Sequence, residues 1–201
     1  MRRFNTVFNT ARIAAVIAVL FLVMSVTAQA GDFNTSTSIE NFGQINPEYY
    51  RGGQPEGRDY ADLAAIGIRT VINLTSDDAE PNEKSMVEKA GMTYIQIPMT
   101  THENPTAEKL EAFLRIVNDP ANQPVYVHCV GGKHRTGVMT AVYRMTKEGW
   151  TADQAYKEMK DYKFGSAFLH PQFKNFVFDY YHQLGVTGSK PLKTAAASAG
   201  Q

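Results

Sequence analysis

The stretch VYVHCVGGKHRTG, from Val125 to Gly137, constrains the fold more than any other part of the chain. It begins as an apolar run rich in valine and tyrosine, which is typical of a buried strand. The run stops at Cys129, the only cysteine, and passes through two glycines to Arg135, near which an amphipathic helical pattern begins. A strand, a short loop and a helix in this order predict an α/β fold with a site beyond the carboxyl end of the strand.

Strand-like and helix-like segments alternate along the rest of the chain. The predicted strands are residues 68–74, 92–99 and 123–129. The predicted helices begin near Thr106, Arg135, Thr151 and Pro171, where apolar residues recur three or four positions apart or a capping box is present. This alternation predicts a single α/β domain, with a short, largely parallel sheet flanked by helices and a phosphate loop between one strand and its helix.

The first thirty residues have the three-part pattern of a secretory signal peptide. Arginines lie at its start, an apolar run extends from Ile13 to Met24, and Ala28-Gln29-Ala30 forms a small-x-small cleavage motif. A retained membrane anchor is the alternative, although the apolar run is short for a bilayer span. Either alternative predicts an exported protein, periplasmic or secreted, and cleavage would leave no stable membrane insertion. The predicted segments are a signal peptide over 1–30, a flexible lead-in over 31–44, the α/β domain over 45–185 and a disordered tail over 186–201.

Charge and cysteine content exclude several classes of protein. The chain has 20 basic and 20 acidic residues, and the part after residue 30 keeps 17 of the basic residues and all 20 acidic ones. This acidic balance argues against a nucleic-acid-binding protein, which usually carries a basic excess. A single cysteine cannot form an internal disulfide. Because an unpaired thiol is vulnerable to oxidation outside the cytoplasm, its presence indicates a chemical role.

The spacing from Cys129 to Arg135 suits binding of a phosphate group. With a helix that starts near Arg135, the intervening backbone N–H groups curl over the helix N-terminus and form a cradle for an anion. The planar fork of Arg135 can grip two phosphate oxygens. The two glycines suit backbone angles that other residues resist. The predicted phosphate-binding residues are Val130, Gly131, Gly132, Lys133, His134 and Arg135.

Cys129 is the predicted nucleophile, because cations and a helix N-terminus favour the thiolate near neutral pH. Attack on phosphorus would give a phospho-cysteine that water then hydrolyses. Thr136 is predicted to donate its hydroxyl to the sulfur, and His128 to orient the loop. An ATP-binding loop is excluded, since Val127 and His134 stand where that motif needs glycine and serine or threonine. We expect no metal and no cofactor, because the five histidines are scattered and form no metal-ligand motif.

The stretch HCVGGKHRTG resembles the signature of cysteine-dependent protein tyrosine and dual-specificity phosphatases, His-Cys-x5-Arg-Thr/Ser-Gly. The similarity extends over about residues 45–183 and includes YYRGGQP at 49–55 and GIRTVINL at 67–74. Two branches are most similar, the small periplasmic dual-specificity phosphatases of bacteria and the atypical branch of fungi and plants. The resemblance implies a phosphatase-type domain, with Cys129 as nucleophile and Arg135 as phosphate ligand.

The general acid is less clearly marked in the sequence. The resemblance implies an aspartate on a separate loop that protonates the leaving oxygen, but the matching loop, PMTTHENPT at 98–106, contains none. Glu103 is its only carboxylate and is therefore the predicted general acid. His102 is a second candidate, and Asp77 and Asp78, on another loop at the same sheet edge, are a third.

Three functions are compatible with these residues. A phosphatase acting on phosphotyrosine, phosphoserine or phosphothreonine in proteins is the first, because a small domain has few residues with which to build deep pocket walls. A phosphatase for inositol polyphosphates such as phytate is the second, because Lys133 and His134 add positive charge beside the cradle. Gly131, however, stands where the fungal and plant branch typically has arginine, and Arg51 and Lys163 are candidates to compensate for its loss. A non-catalytic phosphate-sensing module is the third.

Overall fold

The computed structural model describes residues 37–76, 78–165 and 170–186, and these form a five-stranded sheet with helices around it. The strands are β1 Gly43–Asn46, β2 Tyr49–Gly52, β3 Thr70–Thr75, β4 Thr93–Met99 and β5 Val125–His128. Their order is β1-β2-β5-β3-β4. β1 pairs with β2 in antiparallel fashion, and the other three pairings are parallel. The predicted α/β class and the largely parallel sheet are confirmed.

Six helices lie in the described ranges. They are α1 Asp59–Ala65, α2 Glu83–Lys89, α3 Ala107–Val117, α4 Arg135–Lys147, α5 Ala152–Asp161 and α6 Pro171–Val186. The central strands are buried on both faces, as expected of parallel strands between helices. Ile72 and Val127 pack in a core with residues of α3 and α4. Val71 and Tyr126, which point to the opposite face, pack in a second core with residues of α1 and α2. The site-bearing strand β5 is therefore held in the middle of the sheet.

The local signals that predicted the longer helices match the structure. Thr106 caps α3, because its side chain accepts a hydrogen bond from the Lys109 amide. The predicted capping box at Thr151 and Gln154 is present at the start of α5. α4 begins at Arg135, as the spacing from Cys129 predicts. A helix N-terminus consequently lies directly after the cysteine loop.

The segment boundaries are only partly within the described residues. The predicted signal peptide over 1–30 lies outside them, and so does the tail from residue 187. The predicted lead-in over 31–44 enters the described part at residue 37, where Ile39 is buried and Asn41 hydrogen-bonds to the cysteine loop. Its last residues therefore pack with the domain. Across the described ranges, no helix is both long and apolar enough to cross a bilayer.

Candidate active site

Cys129 lies immediately after β5, at the carboxyl end of the central strand. Its side chain is 3% exposed and packs within the core formed with α3 and α4. The neighbouring strands β2 and β3 run parallel to β5, so their carboxyl ends reach the same edge of the sheet. Loops from three strands thus meet around one sulfur atom.

The loop after Cys129 is fixed from outside through its carbonyl groups. Three consecutive carbonyl oxygens accept hydrogen bonds from surrounding segments. The bonds are Gln54 N to Val130 O at 2.8 Å, Asn41 Nδ2 to Gly131 O at 2.8 Å and Arg51 Nη2 to Gly132 O at 2.5 Å. Each of these donors lies far from the loop in sequence, so the loop conformation is set by tertiary contacts.

These three hydrogen bonds orient the loop so that its backbone N–H groups point toward the centre of the loop. In a trans peptide the N–H points away from the C=O of the same unit. The carbonyls of Val130, Gly131 and Gly132 point away from the centre of the loop. The N–H group that follows each of them therefore points toward the centre of the loop. Among the described residues, none accepts a hydrogen bond from these amides. Converging unpaired amides at a helix N-terminus form an anion-binding concavity.

Gly132 allows the loop to lie directly against β2. Its φ is +63°, a region that residues with a side chain rarely adopt. A Cβ placed there would lie 2.4 Å from the carbonyl carbon of Gly52. Gly131 differs, because its φ is not in the positive region and the nearest atoms to an added Cβ are 3.6 Å away. The expectation of unusual backbone angles therefore holds at Gly132 and fails at Gly131.

Arg135 is oriented by a carboxylate on the loop after β3. Its Nη1 and Nη2 donate to the two carboxylate oxygens of Asp78 at 2.7 and 2.6 Å. Nη1 also donates to the Met99 carbonyl at 3.1 Å. Nε is buried and has no hydrogen-bond partner in the described part of the chain. The guanidinium is thereby held at one edge, and its Nε edge remains available for two phosphate oxygens.

The candidates for the general acid have different environments. Hydrogen bonding from Arg135 lowers the pKa of Asp78 below its ordinary value, so this carboxyl is ionised at neutral pH. Asp77 lies outside the described residues. His102 and Glu103 are exposed on the segment after β4, which α6 anchors through a 2.8 Å hydrogen bond from Gln172 Nε2 to the Thr101 carbonyl. Of the candidates that the structure describes, Asp78 is thus engaged by Arg135, whereas Glu103 and His102 are not.

A buried polar network lies beneath the cysteine. His128 and Glu83 are both fully buried, and His128 Nε2 lies 2.8 Å from Glu83 Oε1. Asn73 donates to the other oxygen of Glu83 and aligns with His128 in the β3–β5 register. Glu83 is therefore a buried neighbour of His128 that sequence reasoning missed, although the geometry of the close Nε2 and Oε1 atoms does not make a hydrogen bond. Nothing in the local pattern of the short helix α2 marks this glutamate as buried.

Thr136 is the predicted donor of a hydrogen bond to the Cys129 sulfur. The Thr136 hydroxyl is buried and has no hydrogen-bond partner among the described residues. Its predicted bond to the Cys129 sulfur is therefore absent from this structure, although nothing else occupies the hydroxyl.

No group of three His, Cys, Asp or Glu side chains in the described ranges is placed to hold a metal ion.

The positive charge expected beside the cradle is largely neutralised. Lys133 Nζ lies 2.8 Å from Glu40 Oε1 in an ion pair. Burial, and next the nearby His170, lower the pKa of His134 to about 4. His134 is therefore neutral at pH 7, and its Nε2 lies 3.1 Å from the Phe164 carbonyl oxygen. Neither side chain offers the free cation that would favour a dense polyphosphate.

Replacing His134 with glutamine should flatten the acid side of the stability profile. The unfolded histidine takes up a proton near pH 6.5, whereas the folded one does so only near pH 4. Unfolding between these values therefore binds a proton, and stability falls as the pH drops through this window. We expect the melting temperature of the wild type to lose about 4 °C more than that of His134→Gln from pH 7 to 4.5. The melting temperatures would be measured by circular dichroism. An equal loss of melting temperature in the two proteins from pH 7 to 4.5 would contradict this assignment.

Comparison with known proteins places this geometry in a family. Residues 15–175 match a family model described as "DSP-PTPase phosphatase fused to NAD+ Kinase". The chain belongs to the atypical dual-specificity phosphatase family. The phosphatase is 27% identical over 125 residues to the dual specificity protein phosphatase TpbA of Pseudomonas aeruginosa, which covers 62% of this chain and 56% of TpbA.

Other relatives and solved structures agree with the fold. The phosphatase is 26% identical over 133 residues to the inositol diphosphatase SIW14 of Saccharomyces cerevisiae, covering 64% of this chain and 47% of SIW14. It thus spans about half the length of either relative. The crystal structure of TpbA from P. aeruginosa superposes with a TM-score of 0.61 at 25% identity, over 74% of this chain and 92% of that one. The SIW14 catalytic core from S. cerevisiae superposes with a TM-score of 0.62 at 23% identity, over 75% and 94%.

Proposed function

We propose that this phosphatase hydrolyses phosphomonoesters on proteins through a phospho-cysteine formed at Cys129. The observation that carries the proposal is the cradle of inward-facing loop amides, clamped by three carbonyl bonds around a cysteine at a helix N-terminus. Such a cradle binds a phosphate dianion and stabilises charge on its equatorial oxygens. In this proposal the Cys129 sulfur, at the start of the same loop, attacks phosphorus.

The reaction has two displacements at phosphorus. In the first, the Cys129 sulfur bonds to phosphorus as the ester P–O bond breaks, and the leaving oxygen takes a proton from the general acid. In the second, a water oxygen bonds to phosphorus, the S–P bond breaks, and the proton from water returns to the general acid. The free Nε edge of Arg135 would hold two phosphate oxygens throughout. The unoccupied Thr136 hydroxyl would stabilise the departing sulfur in the second step.

We assign the proton transfer to Glu103. Its segment follows β4, so it lies at the same sheet edge as the cysteine loop. Asp78 is poorly suited, because its lowered pKa and its bonds to Arg135 keep it ionised. His102 lies beside Glu103 and is the alternative. The exposure of both residues would let the segment move when a substrate binds.

Two observations support a phosphoprotein substrate over an inositol polyphosphate. The cations Lys133 and His134 are paired or neutral, and the fully buried Arg51 does not reach solvent. A cleft of about 550 Å³ adjoins the loop at Val130, and its lining includes three acidic residues without a cationic partner in the described part of the chain, Glu56, Asp59 and Glu80, besides the paired Glu40 and Asp78. This field repels a ligand with many phosphates more than one with a single phosphate. Among relatives, TpbA is a protein phosphatase and its structure has been solved with phosphotyrosine, whereas SIW14 is an inositol diphosphatase.

A substrate comparison tests this function. We expect the protein to hydrolyse a phosphotyrosine peptide with a kcat/KM at least about tenfold higher than that for phytate, in a buffer of fixed ionic strength. Phosphate release would be measured for both substrates, with para-nitrophenyl phosphate as a common reference. A preference for phytate would identify an inositol-polyphosphate phosphatase. No turnover on any of these compounds would identify a phosphate-sensing module.

The same assay examines the proton donor. Loss of a general acid typically costs about 10²- to 10⁴-fold in rate. The loss in Glu103→Gln should be larger on a phosphoserine peptide than on the aryl phosphate, because an aryl oxide leaves with less help from a proton. The matched control is Glu111→Gln, an acidic residue at an exposed position of α3. Equal rates for Glu103→Gln and the wild type on both substrates would transfer the role to His102 or Asp77.

We also propose that the protein is exported. The support is the signal-peptide pattern over residues 1–30 and the presence of a single cysteine in the chain. Fractionation of cells that produce the full chain would test it, and recovery of all phosphatase activity in the cytoplasm would contradict it.

A further inference from the structure

Arg51 is a buried cation directly beneath the phosphate loop. It lies in β2, and its side chain is among the largest that are fully buried in the described part of the protein. Burial lowers the pKa of its guanidinium, which nevertheless remains charged at neutral pH because arginine does not lose its proton in proteins. A buried charge is costly unless it is hydrogen-bonded and balanced by an opposite charge.

The contacts of Arg51 satisfy only part of this requirement. Nη2 donates to the Gly132 carbonyl at 2.5 Å, and the guanidinium lies 4.0 Å from the centre of the Tyr162 ring. Nε and Nη1 have no hydrogen-bond partner within the described ranges. The ion pairs seen there likewise include no carboxylate bound to Arg51. Glu158, whose charge Arg51 feels, is bonded to Arg144 instead.

The other cations around the sulfur are already balanced. Asp78 binds Arg135 through both oxygens, Glu40 pairs with Lys133, and His134 is neutral. Arg51, in contrast, forms no ion pair with any carboxylate among the described residues. In the β2–β5 pairing Arg51 lies opposite Val127, two residues before Cys129, and its charge interacts with that of Cys129.

We propose that Arg51 is a positioning residue of the site, whose charge is balanced by the Cys129 thiolate and whose Nη2 holds the Gly132 carbonyl outward. The inference rests on the proposed role of Cys129 as nucleophile. Arg51 would act in two ways. Its field favours the thiolate from the side of the sheet, and its hydrogen bond keeps the following amide directed at the phosphate.

The first test is the alkylation of Cys129 by iodoacetamide as a function of pH. In Arg51→Met, methionine fills similar space without charge, so the pH at which alkylation reaches half its maximal rate should rise by at least about one unit. Arg51→Lys restores a charge but not the shape of the fork. The alkylation midpoint of Arg51→Lys should return toward the wild-type value. Inorganic phosphate should nevertheless bind to Arg51→Lys about tenfold or more weakly than to the wild type.

Arg144→Met is the matched control. Arg144 also stacks on an aromatic ring, 4.2 Å from the centre of Trp150, but its ion pairs are with Glu148 and Glu158. This substitution removes a stacked guanidinium away from the loop but also frees Glu158, whose charge Arg51 feels, so stability should fall and the alkylation midpoint should rise by much less than in Arg51→Met. An unchanged midpoint in folded Arg51→Met would overturn the proposal. A midpoint that shifts equally in both variants would also overturn it.

A second measurement covers the case in which Arg51→Met does not fold. If the thiolate balances Arg51, the folded state releases the thiol proton more readily than the unfolded state does. The free energy of unfolding of the wild type should then rise relative to that of Cys129→Ser between pH 5 and 8. A difference in the free energy of unfolding between the two proteins that does not change from pH 5 to 8 would overturn the proposal. Because neither measurement needs turnover, an inactive wild type would reject the proposed function without rejecting this inference.

Discussion

Replacing Cys129 with serine should abolish turnover while leaving a folded protein that still binds its substrate. A serine hydroxyl is a far weaker nucleophile in a site whose cations favour a thiolate, and the described structure holds no base bonded to position 129. Loss of a nucleophile in a covalent mechanism is on the order of 10⁵-fold or more in kcat. The loop amides and Arg135 do not depend on the sulfur, so the affinity for a phosphotyrosine peptide should remain within about threefold.

Two measurements on the same protein preparations check this expectation. Rapid acid quenching during turnover should trap a phosphorylated wild-type enzyme, with the phosphate on the peptide that contains Cys129. Cys129→Ser should give no such species, while isothermal titration calorimetry detects peptide binding. Comparable turnover by the two proteins would reject the phospho-cysteine mechanism. Loss of both binding and turnover, with an unchanged melting temperature, would show that the sulfur itself holds the ligand.

The longer elements of the fold could be predicted because their signals are local. α3 buries one apolar face with helical spacing, apolar residues recur with the same spacing in α4, and the capping box of α5 is contained within four residues. The short elements carry too few residues for such periodicity. α1 and α2 have seven residues each and β1 has four, so neither helix spans more than two turns. Their formation depends on packing against the sheet, which a local pattern does not encode.

The same distinction applies to the site. Cys129 and Arg135 could be proposed as partners because one loop contains both, and the structure places that loop between β5 and α4. The groups that shape the loop come from elsewhere in the chain. Asn41 and Arg51 are 90 and 81 residues away from their carbonyl acceptors, and Asp78 is 57 residues from Arg135. Only the folded sheet brings these residues to one edge.

Charge beside the loop shows why composition could mislead. Lys133 and His134 were expected to attract a dense anion, since the sequence gives both residues a potential positive charge. In the folded protein Glu40, 93 positions earlier, pairs with Lys133, and burial makes His134 neutral at pH 7. The electrostatic field of a site thus depends on partners that are distant in sequence.

Replacing Gly132 with alanine should disable the site, whereas the same change at Gly131 should be mild. At Gly132 the added Cβ meets the backbone of Gly52 and Gly53 at 2.4 to 2.7 Å, and the φ of +63° is unfavourable for alanine. Backbone atoms of a central sheet cannot move aside as a flexible side chain can, so the loop itself must shift. A shift of about 1 Å in a positioned group can reduce the rate by about 10²-fold. We expect such a loss in kcat/KM, with a destabilisation of about 1–3 kcal/mol.

Gly131→Ala provides the matched control, one residue away in the same loop. The nearest atoms to its Cβ would be in the side chains of Glu40 and Lys133 at 3.6 Å, an ordinary contact distance, and its φ is not in the positive region. We expect kcat/KM within about threefold of the wild type and a free energy of unfolding within about 0.5 kcal/mol. Kinetics on para-nitrophenyl phosphate and urea unfolding of both variants provide these numbers. Equal losses at the two positions would mean that the close approach of Gly132 to β2 does not determine the shape of the phosphate cradle.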